Sequence, residues 1–458
     1  MDTLILRRLS PFGLSVVLLI FAPVLGASER TAGFPPIAAD IVRDRIDGID
    51  VLAYRTAARD AVTIEGSLPA GSVFHPADNV VVPALTAEML DKGTATEDKA
   101  MIARRLEEAG ATIRYTVAPV TLRFSARCLA KDLPLVLSVL ADELRRPALS
   151  RDQFGRAKEQ LTGRYLRQME DTRFRADNLL ARTLFPGVHP NHPASGEELL
   201  SALDSVKLSE VKAFHAAHYG PSGMVLVAVG DVDPVELRTD MAKDFDGWTG
   251  GGTVPRFAAA PRVKGGRKVV FVADRSSVSV AWGEAAGLRR GDPDALAFEV
   301  GTAILGKGFT GRLATRVRDE EGLSYDVGAK VISDTYSDGE WLLSASFAPD
   351  RLAKGIASAR REILAWHDRG VTAEELVQRK RSLISSYRVG VSTTRGLAMQ
   401  ILSTVERGDP LSRLDDYPSR VDALTLDQVN GAIRRDFDPS RLVLVEAGTV
   451  DARMPLID

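Results

Sequence analysis

Leu305-Gly-Lys-Gly-Phe-Thr-Gly-Arg-Leu-Ala-Thr-Arg-Val-Arg-Asp-Glu-Glu-Gly-Leu-Ser-Tyr325 is the most informative segment of this 458-residue chain. It opens with glycines and runs into an amphipathic pattern, with Phe309, Leu313 and Val317 at i, i+4 and i+8. That spacing predicts a helix with the three apolar side chains on one stripe. Gly322 stands where a C′ glycine ends such a helix. Arg318 falls off the stripe, on the face of Ala314 and Gly311, whose small side chains leave room beside its guanidinium. Tyr325 follows past the helix end, on what reads as the next strand. The helix stop thus brings together two donors able to bind a peptide carbonyl. The same residues also admit a plainer arrangement, with Arg318 paired to Glu321 on the surface and Tyr325 packed in the core.

Outward from this segment the chain repeats itself. Tyr219-Gly-Pro-Ser-Gly-Met-Val-Leu-Val-Ala-Val-Gly-Asp-Val-Asp233 aligns with Phe437-Asp-Pro-Ser-Arg-Leu-Val-Leu-Val-Glu-Ala-Gly-Thr-Val-Asp451, so Pro221 and Pro439 lie 218 positions apart. Met89-Leu-Asp-Lys-Gly93 echoes Ile304-Leu-Gly-Lys-Gly308, and Leu149–Leu161 echoes Val371–Leu383. Three agreements in the same order indicate two copies of one unit of about 200 residues. Between the copies, residues 247–267 are rich in Gly, Pro and Ala and read as a linker. The expected domains are therefore 40–246 and 268–458.

Within the first copy, Ile46–Tyr54, Val62–Leu68, Thr112–Thr116, Val120–Cys128 and Met224–Val229 read as strands. Val80–Lys92, Lys99–Glu108, Leu133–Leu144, Arg151–Glu170, Phe174–Leu184 and Leu208–His218 read as helices, and Pro186–Ser195 as a polar loop.

The segment 305–325 resembles the C-terminal domain of the pitrilysin-like, or inverted-zincin, insulinase-type zinc peptidases. In that family Arg-Leu-x-x-x-x-Arg-x-x-x-Gly-Leu-x-Tyr supplies an Arg/Tyr pair that binds the substrate backbone. The match here is Arg312-Leu313, Arg318, Gly322-Leu323 and Tyr325. The resemblance implies an α/β layered fold of two homologous domains, each a mostly antiparallel sheet packed against helices. It also implies that Arg318 and Tyr325 are the substrate-binding residues.

Catalytic members of the family carry His-x-x-Glu-His before a Lys-Gly-Thr stretch. Two histidines four apart on a helix hold zinc, and the glutamate activates its water. Lys92-Gly93-Thr94 is present here, but the five motif positions read Ala84-Leu85-Thr86-Ala87-Glu88. Ala84 and Glu88 replace the histidines and Ala87 the general base. The family's third ligand falls near Gly163 or Arg164. The resemblance therefore implies no catalytic residue, metal or cofactor in this chain, with zinc in a partner subunit that carries His-x-x-Glu-His. Peptides or unfolded polypeptides would be the substrates, and cleavage would need the complex. The alternative it leaves is a scaffold or peptide-binding protein of the same fold with no role in proteolysis.

Other features bound the function. A formal net charge of −2 and a pI near 6.4 give no nucleic-acid footprint. Arg7 and Arg8 precede an apolar run from Gly13 to Leu25 and then Gly26-Ala27-Ser28. That is the layout of a signal peptide over residues 1–27, pointing to a periplasmic protein in a Gram-negative host; an uncleaved anchor is the other reading. Cys128, the single cysteine, sits in an alternating strand and reads as a buried hydrophobe. His215 and His218, at i and i+3, are the only histidine pair with ligand spacing on a helix, and no carboxylate or cysteine completes a site. Gly306-x-Gly308-x-x-Gly311 follows a helix rather than a strand, so it is not a dinucleotide loop.

Overall fold

Asp47 and Gly48 both have positive φ, 48° and 93°, and make the tight turn that folds the chain back on itself near its start. The single strand expected over Ile46–Tyr54 is therefore a hairpin, β1 (Val42–Ile46) and β2 (Ile49–Arg55). This computed structural model describes residues 36–77 and 79–450, and the expected leader over 1–27 lies outside them. From Pro36 onward the chain forms one unit built of two lobes.

The first lobe continues with β3 (Ala61–Leu68), α1 (Val82–Met89) and α2 (Lys99–Glu108). β4 (Thr112–Val117), β5 (Leu122–Leu129), α3 (Leu133–Arg145), α4 (Arg151–Glu170) and α5 (Thr172–Leu184) follow. It closes with α6 (Gly196–Ser205), α7 (Leu208–His218), β6 (Val225–Gly230) and α8 (Pro234–Asp244). Helices α6 and α8 are absent from the sequence reading. Each has a local start signal: a Ser195/Glu198 capping box for α6, and an Asp233 cap followed by Pro234 for α8.

The second lobe contains β7 (Gly266–Phe271), β8 (Val278–Ala285), α9 (Ala295–Gly306), a π-helix over Ala314–Glu320, β9 (Val327–Ile332) and β10 (Glu340–Phe347). Then come α10 (Leu352–Arg369), α11 (Ala373–Val391), α12 (Thr394–Glu406), α13 (Arg413–Ala423), α14 (Leu426–Asp436) and β11 (Val443–Gly448).

The two sheets are copies. Their strand orders are β1-β2-β6-β3-β5-β4 and β7-β11-β8-β10-β9. Apart from the added β1, each strand has a counterpart, and in each sheet only the β2/β6 or β7/β11 pair is parallel. Gly230 and Gly448 end corresponding strands at φ 141° and 150°, a region closed to most side chains. At Gly230 a Cβ would meet the Ala61 carbonyl oxygen at 2.1 Å. Each sheet packs one face on its own helices, around Leu85, Phe124 and Leu137 in the first lobe and Phe298, Trp341 and Trp366 in the second.

The other face of each sheet is covered by a helix from the opposite lobe. Ala176, Leu180 and Leu184 of α5, with Phe185, pack on Ala281, Leu342, Val443 and Val445 of the second sheet. Helix α12 lies on β3 and β6 of the first. The polar contacts repeat as well. Thr172 at the start of α5 bonds Ser279 at 2.8 Å, and Thr394 at the start of α12 bonds Thr63 at 2.9 Å. Arg173 pairs with Asp326 and Arg395 with Glu65. This reciprocal exchange fixes one lobe against the other.

The loop 186–195 adds a polar fastening. His189 is buried, its ring stacked 4.6 Å from Phe185, and it bonds Asp338 at 3.0 Å through Nε2. Its Nδ1 accepts from the Asn191 amide, so Nε2 carries the proton. Asp338 also accepts from the Ala260 amide. Loop, β9–β10 turn and linker thus meet at one carboxylate.

Candidate functional site

The segment 305–325 folds differently from its periodicity. Helical geometry begins only at Arg312, so Phe309 lies in the preceding turn and is 71% exposed, not on the buried stripe. Leu313 and Val317 are fully buried as expected. Beyond them the helix widens, with Glu321 donating to the Arg316 carbonyl and Leu323 to the Val317 carbonyl. Such wide turns reorient side chains that regular spacing would place elsewhere. Gly322 ends the helix at φ 60°, as expected of a C′ glycine.

Arg318 and Tyr325 are brought together, but not by either arrangement the sequence admitted for them structurally. Arg318 pairs with Asp319 at 3.3 Å, while Glu321 is taken by Arg361 at 3.0 Å. Tyr325 is neither in the core nor on the strand: it precedes β9 and is 85% exposed. The Arg318 guanidinium lies 4.3 Å from the centre of the Phe309 ring and 5.4 Å from that of Tyr325. Two aromatic faces therefore hold the cation, a contact worth about 0.5–1 kcal/mol at an exposed site.

The backbone around Tyr325 is pinned from both sides. Ser324 donates to the carbonyls of Asp326 and Ser346, and Ser346 donates its amide to Asp326. Arg351 donates to the Gly322 carbonyl. With its neighbours tied to β10, Tyr325 points its phenol outward. The end of α9 lies against β9 because Gly306 has no side chain: a Cβ there would stand 2.0 Å from the Ala329 nitrogen. Arg312 itself is structural, gripping Glu375 with two bonds of 2.6 and 2.7 Å.

Ala84, Ala87 and Glu88 gather at a second place. With Lys92 they line a cleft of about 780 Å³ between α1, α4 and the edge strand β4. Glu88 accepts from Arg164 at 2.9 Å, and Lys92 approaches its other oxygen at 4.0 Å. Arg164, reached in the sequence as the neighbour of a missing ligand position, is the ionic partner of Glu88. The residues present do not fit a zinc ion. The two alanines offer no donor, and the one carboxylate is engaged by a guanidinium that repels a dication. Among the described residues no group of three or more His, Cys, Asp or Glu is placed to hold a metal. Neither Arg318 nor Tyr325 lines this cleft.

Behind the cleft, Glu143 is buried and accepts from the Tyr115 hydroxyl at 2.7 Å. Burial pushes its carboxyl up to about 8. Burial likewise pushes the Cys128 thiol up to about 12, making it an inert core residue. His215 bonds the Leu144 carbonyl and stacks on Tyr219, while His218 packs on Phe74 and Phe214. Burial lowers the pKa of both, and their partners leave no shared point for an ion. His189, read from the sequence only as part of a proline-punctuated polar loop, is buried at the contact with Asp338.

Comparison with known proteins matches this architecture. Residues 51–185 match the insulinase (peptidase family M16) model, and residues 205–383 match the peptidase M16 inactive domain. An uncharacterized zinc protease from Streptomyces coelicolor is 26% identical over 361 residues, covering 76% of each chain. A non-peptidase homolog from Helicobacter pylori is 22% identical over 359 residues, covering 76% of this chain and 80% of its own. A peptidase M16 inactive domain from Pseudomonas fluorescens shares the fold, with a TM-score of 0.83 at 24% identity over 91% of this chain and all of that one. A duplicated α/β sheet, with two models of one family matched in order along it, leads to one assignment: the chain belongs to the peptidase M16, or insulinase, family.

Proposed function

We propose that this chain is the non-catalytic, substrate-binding subunit of an exported two-chain zinc peptidase, with zinc held by a partner bearing His-x-x-Glu-His. The observation that carries this reading is the contrast between its two sites. One presents Arg318 and Tyr325 outward, the guanidinium already held between two rings. The other has a closed Glu88–Arg164 ion pair where the family's ligands would stand. A chain with the first site and not the second can hold a peptide but has no means of activating water. Holding a scissile bond at a partner's metal converts directly into rate.

The Helicobacter pylori relative is named a non-peptidase homolog, which favours a chain inactive by itself. The exposure of Tyr325 favours a binding role over a pure scaffold, which has no use for an outward donor pair. The basic, apolar and small-residue order of residues 1–27 supports export to the periplasm. No helix among the described residues is long and apolar enough to cross a membrane.

Isolation from the native host tests the reading. The expected result is a co-purifying chain with His-x-x-Glu-His, zinc in the complex, and a mature N-terminus near Ala27 or Ser28. The chain alone should contain no stoichiometric zinc and cleave nothing. One zinc per isolated chain, lost on Glu88→Gln, would contradict the proposal.

A further inference from the structure

The second lobe contains a pocket whose charge is out of balance. It measures about 320 Å³ and lies between α9, α11, α12 and α13. Five cations reach it: Arg290, Lys307, Arg407, Arg413 and Arg420. Two carboxylates line it, and both are already engaged. Glu299 bonds Arg290 at 2.9 Å, and Asp409 bonds Arg407 at 3.1 Å. The side chains of Lys307, Arg413 and Arg420 have no hydrogen bond and no carboxylate within 4.0 Å among the described residues.

Arg413 and Arg420 stand two turns apart on one face of α13, half-buried rather than extended into water. Burial and the neighbouring Arg413 charge lower the pKa of Arg420, and the charges of Asp409 and Asp416 offset them only in part. Placing like charges side by side in a cleft costs stability unless an anion offsets them. The other walls suit such a ligand. The Tyr387 and Tyr417 rings, 4.6 Å apart, form an aromatic side, and Ser386, Gln400 and Ser403 add polar groups. The other cavities that border the site carry balanced charge: Lys307 and Lys330 face Glu299 and Asp326 in one, and Arg312, Arg316 and Arg369 face Glu320, Glu362 and Glu375 in another.

Position connects the pocket to the Arg318/Tyr325 pair. A second cavity of about 400 Å³ shares Glu299 and Lys307 with it. That cavity runs along β9 to Gly308 and Asp326, the residues beside Phe309 and Tyr325. The two cavities are thus neighbours with Glu299 and Lys307 in common, and a chain held at Tyr325 would pass Lys307 on its way to Arg413 and Arg420.

We propose that the Lys307–Arg413–Arg420 pocket is a subsite for a carboxylate of the bound peptide, so that the preferred substrates carry an acidic residue or free C-terminus at that distance from Tyr325. This deepens the substrate-binding reading given above and rests on it for the identity of the ligand as a peptide. A guanidinium pair presents the forked donors that a carboxylate takes two at a time.

Fluorescence anisotropy with the isolated chain tests it, using a labelled peptide containing Glu and Asp, its Gln/Asn twin with an amidated end, and inorganic phosphate. The acidic peptide should bind about tenfold tighter than its twin, the size of one charge-assisted contact. Arg413→Gln with Arg420→Gln should bring that ratio close to one. The double variant should melt no lower than the wild type, because it removes two like charges from one face. Arg318→Ala should weaken both peptides together. If Arg318→Ala is silent while the double variant still abolishes the charge preference, the carboxylate subsite stands and the Arg318/Tyr325 reading fails. A charge preference that survives in the double variant overturns the subsite. So does inorganic phosphate binding as tightly as the acidic peptide, which would make free anions the ligand.

Discussion

At the scale of residues, the arrangement around Arg318 rests on a side chain whose role the sequence misplaced. Phe309 fits the i, i+4, i+8 stripe, yet the stripe holds only where the backbone is helical, and Phe309 precedes the first helical residue. Freed from the core, its ring lies over the guanidinium. Phe309→Ala should leave folding intact, since the ring is mostly exposed, and should lower peptide affinity about two- to fivefold, the worth of one cation–π contact. Phe309→Tyr should restore it. Peptide binding by the isolated chain, measured with both variants, checks this; equal loss in both would mean the ring acts by another route. The identities of Arg318 and Tyr325 were legible because their motif is a string of letters. Their surroundings were not, because the widened turns of the π-helix leave no periodic trace. Glu88 and Arg164 were legible one at a time, as replaced ligand positions. Their pairing is a tertiary contact between helices 76 positions apart in sequence.

Among elements, the crossing helix α5 covers the second sheet beside a buried carboxylate. Glu340 on β10 is 5% exposed and lies near Asp177 of α5 and Lys330 of β9. Burial, with the Asp177 charge second, pushes its carboxyl up to about 8, against an ordinary value of 4.5. A folded pKa above the unfolded one means the folded chain holds the proton more tightly. Stability from this group is therefore full below pH 4.5 and declines as pH rises toward 8. Glu340→Gln cannot lose a proton, so its stability relative to wild type should grow between about pH 5 and pH 8 and then level off. The gain should be on the order of 2–4 kcal/mol, since each tenfold difference in proton affinity between the folded and unfolded chain is worth about 1.4 kcal/mol at most. Chemical denaturation at several pH values checks this, and a pH-independent difference would refute it.

The His189–Asp338 fastening makes a second prediction at this scale. His189→Ala removes a buried ring and leaves a buried carboxylate with one donor fewer. The expected cost is about 2–4 kcal/mol in unfolding free energy, measured by chemical denaturation. Nothing in the spacing of residues 186–195 announces that contact, because its partner lies 149 positions away. The strands and long helices of the first lobe were readable from their own periodicity, and the second lobe from its repeats of the first. The exchange of α5 and α12 was not, since an amphipathic helix shows that it buries a face but not against which sheet.

For the whole molecule, duplication explains the fold, and the two copies differ in the side chains at their candidate sites. The repeats at Pro221/Pro439 and Gly230/Gly448 reappear as two sheets with matching strand order, so the fold class was present in the sequence as self-similarity. One copy has an ion pair at its α1/α4 cleft, and the other presents the Arg318/Tyr325 donors together with a cationic pocket. That difference predicts that Arg164→Ala or Glu88→Ala alters local stability by about 1 kcal/mol or less, as for a partly exposed ion pair, without changing peptide affinity. Loss of peptide binding in either variant would move the substrate site to that cleft.

Peptide cleavage by the proposed His-x-x-Glu-His partner, measured with and without this chain and with its Tyr325→Phe variant, is the most direct measurement. Tyr325→Phe keeps the ring over Arg318 and deletes one hydroxyl. Wild-type chain should raise kcat/KM of the partner well above its value alone, and Tyr325→Phe should remove about tenfold or more of that gain while the complex still forms. Full activity with Tyr325→Phe, or a partner that cleaves equally well alone, would contradict a substrate-binding role for this subunit.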